Sequence, residues 1–136
     1  MATGAEVAGT SSAERFVRLV AVGVGLVFVA AGVWAFVAPR SFFDNAATFE
    51  PYNTHLIRDI GAFQVGLGAV LLLGVWVRDA LFAVLAGVAI GAVAHLVAHV
   101  IDRHAGGQPA VDIAMFGLIA GLLVVATVVR ARLVRH

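Results

Sequence analysis

His95 and His99, in the segment HLVAH, stand four residues apart. On a helix that spacing stacks two imidazoles on one face and lets both bind a single metal ion, as in zincin helices, although the zincin glutamate is absent here. With His55, Asp59 and Asp102 they form a candidate metal set of imidazoles and carboxylates suited to a divalent Zn, Cu, Fe or Mn ion. The same groups support a metal-free chemistry in which His95 or His99 is a general base, Asp59 orients it and Arg58 binds an anionic or carbonyl group. His99, Asp59 and Arg58 are then the catalytic candidates. A third reading is structural, an ionic and hydrogen-bonded network joining His55 to Asp102 and Arg58 to Asp59 or Asp112. Haem ligation by His99 and a histidine of another helix is chemically open, but no CxxCH is present and a small bundle leaves little room. The chain has no cysteine, which excludes disulfides and thiolate sites.

These residues must be positioned by an unusually apolar chain. Of its 136 residues 62% are hydrophobic and 12% charged, and its mean hydropathy is +1.02. An ordinary soluble domain has roughly 45–50% apolar and about 25% charged residues, so a soluble globular protein is excluded. Four spans of about 20 residues each leave only short loops and tails, with no space for a nucleotide-binding, nucleic-acid-binding or catalytic ectodomain. A formal charge of +1 implies no polyanionic partner.

The expected fold is all-α, an integral membrane four-helix bundle with spans of about 16–38, 54–77, 80–101 and 112–130. Residues 1–14 form a small, polar, disordered tail, and 15–136 form the four-helix domain. The uncharged run from Leu19 to Ala38 exceeds the usual 7–15-residue apolar region of a cleaved signal peptide, so it reads as a retained span. Arg78 and Asp79 alone separate the second and third spans, which forces an antiparallel hairpin. Six arginines lie on the terminal side (Arg15, Arg18, Arg78, Arg130, Arg132, Arg135) against Arg40, Arg58 and Arg103 on the other. The positive-inside rule then places both termini in the cytoplasm, in a multi-pass protein of the inner (plasma) membrane.

On that orientation nearly every ionisable group within the bilayer enters from the outer leaflet. A charge at mid-membrane costs about 2.5–3.5 kcal/mol and by default marks a site or a bundle interior. Ala83, Gly87, Gly91, His95 and His99 form one stripe of the third span, including the close-packing motif GVAIG. In the second span His55, Asp59, Ala62, Gly66 and Ala69 form another. The two stripes are expected to meet, with residues equidistant from the turn side by side: His55 opposite Asp102, Arg58 opposite His99, Ala62 opposite His95. His95 and Asp59 would then lie about 9 Å below the helix ends. Gln64 is deeper, on a different face with Asn53, Ile57 and Ile60, a face for span one or another subunit. Gly117 and Gly121 in GLIAG make a further packing motif, expected within the bundle.

The first outer loop, PRSFFDNAATFEPYN, has a capping-box-like start at Ser41 and Asp44. Its aromatic residues Phe42, Phe43, Phe49 and Tyr52 suit interfacial anchoring, as do Trp34 and Trp76. Alternatively the segment lies across the outer mouth as a lid, and Phe49, Tyr52 and Asn53 are its candidate ligand contacts. A first span ending in APRSFFD, followed by PYNTHLIRDIGAFQVGLG, resembles small four-span bacterial membrane proteins of the DoxX-like kind and related actinobacterial families. The resemblance covers about residues 16–130 and implies a compact four-helix membrane bundle, with no catalytic role attached.

The leading expectation is an outer-leaflet His/Asp/Arg site between spans two and three that binds a metal ion or a small hydrophobic ligand. The alternatives are a non-catalytic accessory subunit of a larger membrane complex, or an enzyme acting on a lipid, quinone or polycyclic substrate through a histidine base. Expected partners are the lipid bilayer and a homo-oligomer or larger membrane complex, with no nucleic acid.

Overall fold

The computed structural model of the protein describes residues 11–77 and 80–135. Among these residues there are five helices and no strand: α1 (Ser12–Val37), α2 (Pro39–Ala46), α3 (Thr54–Trp76), α4 (Leu81–Ile101) and α5 (Pro109–Leu133). All except α2 are long and apolar enough to cross a membrane. Even α4, with 21 residues, reaches about 32 Å at 1.5 Å per residue, which matches a hydrocarbon core of about 30 Å. The outer surface is apolar too, with Leu19, Phe63, Ile90 and Leu118 being 71%, 75%, 72% and 64% exposed. Such a surface suits lipid and not water.

Local chemistry sets the helix ends. The first helix starts at Ser12 because Ser11 Oγ accepts a hydrogen bond from Glu14 N at 3.2 Å, so residues 12–14 of the expected tail are helical. Residues 1–10 of that tail, and Arg78 and Asp79 of the hairpin turn, lie outside the described residues. Short α2 begins at Pro39 and not at Ser41, since proline fits a first helical position whose N–H would have no partner. The Ser41 hydroxyl instead accepts from Trp34 Nε1 at 3.2 Å. Asn53 caps α3, its Oδ1 accepting from His55 N at 3.0 Å and Leu56 N at 3.1 Å. The last helix begins at Pro109, three residues before the expected boundary, and its Asp112 Oδ2 accepts from Gln108 N at 3.0 Å.

Two helix pairs make the bundle: α3 packs chiefly on α1, and α5 chiefly on α4. The α1–α3 contact depends on glycines seven residues apart in each helix. A Cβ on Gly32 would lie 2.7 Å from Gly61 O, one on Gly61 would lie 2.7 Å from Gly32 O, and one on Gly68 would lie 2.6 Å from Gly25 O. Apolar surface gains little from helix association within lipid, so this close backbone packing is the main attraction available. The expected motifs are placed differently: Gly66, Gly87, Gly91, Gly117 and Gly121 face open space.

All four long helices converge in the half of the bundle that holds the start of α1 and the end of α5, around Val17, Ala21, Leu71, Leu85 and Leu123. Arg18 ties this end together, donating through Nη1 to Val75 O at 3.3 Å and pairing with Glu14 at 3.1 Å. At the opposite, loop end a smaller core of Ala35, Phe42, Phe43 and Ile57 joins α1, α2 and α3. The α3–α4 hairpin is tight near its turn, where a Cβ on Gly74 would lie 3.2 Å from Val84. The two helices part from there toward the loop end, because each is held by its own neighbour.

Candidate ligand-binding site

At the loop end the site is built on α4 and α5. Gly106 and Gly107 turn the chain between them with φ of +140° and +72°, conformations that favour glycine. Asp112, buried at 7% exposure, sits in the first turn of α5, where the helix dipole favours a carboxylate. His99 Nδ1 lies 3.9 Å from Asp112 Oδ2. Around this pair the rings close in: Phe116 is 4.5 Å from His99 and 4.4 Å from His95 between centroids, and the two imidazoles are 4.7 Å apart. Phe49 reaches over from the α2–α3 loop and packs edge-on against His99 at 5.9 Å. Its backbone neighbour Thr48 accepts from Gly107 N at 3.3 Å, so this loop is docked on the α4–α5 turn.

Below the cluster lies a cleft of ≈ 280 Å³ between the diverging α3 and α4. Phe28 of α1 and Phe116 and Ile119 of α5 line it, and Ile60, Phe63 and Leu67 face it from α3. Only Gln64 and His95 bring side-chain polarity to these walls. Gln64 is about 15 Å along α3 from its start, and His95 about 9 Å in from the end of α4. Neither makes a hydrogen bond among the described residues. An amide without a partner in an apolar medium costs about 2–7 kcal/mol, so a Gln64 that points into such a cleft calls for a partner from outside the chain.

The remaining sequence candidates are placed elsewhere. His55 pairs with Asp59 one turn along the same helix, Nε2 to Oδ2 at 3.5 Å, with side chains 87% and 50% exposed. Arg58 Nε donates weakly to Phe36 O at 3.4 Å. Asp102 caps the end of α4 on the surface. The parting of α3 from α4 thus keeps His55 from Asp102 and Arg58 from His99, and His99 meets Asp112 instead. Among the described residues no three His, Asp or Glu side chains gather as metal ligands would. Of the loop candidates Phe49 reaches the cluster. Asn53 is the α3 cap, and Tyr52 packs on Phe43 at 5.0 Å while its hydroxyl accepts from Thr54 Oγ1 at 3.0 Å. Arg40 stacks over Tyr52 at 5.0 Å, and its pKa is raised first by the Asp44 hydrogen bond and then by the charge of that carboxylate.

Three lining residues carry no early sign of the site. Phe28 and Phe116 read as ordinary span residues, and Gln64 falls on a face expected to contact span one or another subunit. The spacing of Ile60, Gln64 and Leu67, one helical face, was the available signal, since these residues share the cleft while Ile57 turns toward α1 and α2. Comparison of the chain with protein-family models, with curated proteins and with solved structures finds no match.

Proposed function

We propose that the protein is a binding protein of the plasma membrane, with both termini cytoplasmic, whose outer-leaflet site takes up a small hydrophobic ligand. The observation that carries this reading is the cleft of ≈ 280 Å³, apolar apart from Gln64 and His95 and covered at its loop end by His99, Phe116 and Phe49. Its size is at the lower edge of the ~300–1,000 Å³ typical of small-molecule sites, enough for a compact head group and not for a whole lipid. Aromatic walls with few polar groups are the usual composition of such sites. Metal binding through His95 and His99, completed by Asp59, Asp102 or His55, has less support, because the divergence of α3 and α4 separates His55 and Asp59 from the two histidines and Asp102 lies on the surface at the end of α4.

Native mass spectrometry of the protein released from mild detergent tests this. One small organic adduct per chain, lost in His95→Leu, is expected. A chain that carries no adduct under the gentlest release would contradict it, and a stoichiometric metal ion would favour the metal reading instead. A second reading, an accessory subunit or homo-oligomer, is favoured by the outward small-residue faces at Gly87, Gly117 and Gly121, where nothing lies within 4 Å. Constant partner chains after gentle extraction would support it.

A further inference from the structure

We infer that the cleft between α3 and α4 selects a lipophilic carbonyl compound, entering sideways from the bilayer, whose oxygen accepts hydrogen bonds from Gln64 and His95. This rests on the ligand-binding reading above and names the ligand's chemistry. The two polar groups stand on opposite walls of one apolar cleft, and each offers an N–H: the Gln64 amide, and one imidazole nitrogen of His95 in either neutral tautomer. One carbonyl oxygen has two lone pairs and can take both donors. A ligand with its own N–H or O–H must leave that donor unmatched on its way through the hydrocarbon, whereas a ketone carries no donor into it. The rim side chains Phe63 and Leu67 are 75% and 42% exposed, so the cleft opens toward lipid and not toward the aqueous loops, which Phe49 and the α4–α5 turn cover. Gly91 lines the same wall, and a Cβ there meets nothing within 4 Å, so the wall has space beside His95 for a ring.

Benzophenone, a lipophilic aromatic ketone that couples to nearby C–H bonds under light, serves as the probe on the full-length protein in nanodiscs, with labelled residues mapped by mass spectrometry. The expected labels fall on Phe63, Leu67 and Ile119. A non-photoreactive aromatic ketone competes them away, and diphenylmethane, of the same shape without the oxygen, competes about fivefold less well, as the loss of a hydrogen bond in this setting requires. Gln64→Leu weakens labelling about fivefold, and Gly91→Leu, which fills the cleft from a position with open space, abolishes it. If the ketone and diphenylmethane compete equally and Gln64→Leu changes nothing, the carbonyl assignment is overturned while ligand binding in the cleft stands. Labels outside the cleft overturn both. Nanodiscs of ether-linked lipids separate the remaining source of carbonyl groups: labelling unchanged from ester-lipid discs supports a free ligand, and labelling that rises sharply assigns the cleft to a bilayer ester and overturns the free small ligand, while the carbonyl assignment stands.

Discussion

Replacing Gly61 by alanine adds one methyl group at the place where α1 and α3 come closest. The new Cβ would lie 2.7 Å from Gly32 O, 2.8 Å from Phe36 N and 3.2 Å from Ala35 Cβ. Two of these neighbours are backbone, so no side chain can swing aside, and the helices must separate by about 0.3 Å to reach even 3.0 Å. A gap of 0.5–1 Å already forfeits a quarter to a half of each van der Waals contact it opens, and α1–α3 is the largest helix contact in the bundle. Overpacking of this kind costs about 1–3 kcal/mol. Gly66→Ala, five residues along the same helix, is the control, since its Cβ meets nothing within 4 Å and alanine favours helix by about 0.5–1 kcal/mol. The assay is reversible unfolding in mixed micelles with rising SDS, read by helical circular dichroism. Gly61→Ala should unfold at clearly lower SDS than the parent and Gly66→Ala at the same or higher. Equal midpoints for the two variants would refute the glycine contact.

Asp112→Ala removes the carboxylate that accepts from Gln108 N and faces His99 and should cost about 1–2 kcal/mol in the same unfolding assay, with Asp112→Asn recovering part of the loss. Gly107→Ala combines a φ of +72° with a Cβ 2.9 Å from Asp112 Oδ2; a loss of about 1–3 kcal/mol and release of Phe49, seen as faster proteolysis of the α2–α3 loop, are expected. His55→Ala, which breaks only an exposed pair, should change stability by less than about 0.5 kcal/mol and leave ligand occupancy intact. Single cysteines placed at Ser12 and at Asn45 should react with a membrane-impermeant maleimide only at residue 45 in intact cells, if the termini are cytoplasmic.

The number and type of the long helices were legible because composition and uncharged runs alone demand four spans. Their ends were less so: Ser11 and Pro109 set boundaries through a capping bond and a missing N–H, which hydropathy does not register. The hairpin register holds near the turn, where Gly74 meets Val84, and fails at the loop end because equal spacing was extended along helices that α1 and α5 pull apart. For the same reason His55, Arg58 and Asp59 stay on the surface of α3, while His95 and His99 find Phe116 and Asp112 on α5. Small residues four apart pointed to α4 and α5, yet the working contact is the seven-residue pair Gly25 and Gly32 against Gly61 and Gly68. Which stripe is used depends on the partner helix, and that is a property of the whole bundle.

The most direct test is an electron cryomicroscopy map, at side-chain resolution, of the protein purified in its native lipids without added ligand. Density for a compact molecule between α3 and α4, within hydrogen-bond distance of the Gln64 amide, is the predicted result. A closed α3–α4 seam with His55 against Asp102 and Arg58 against His99, or an ion held among them, would contradict it.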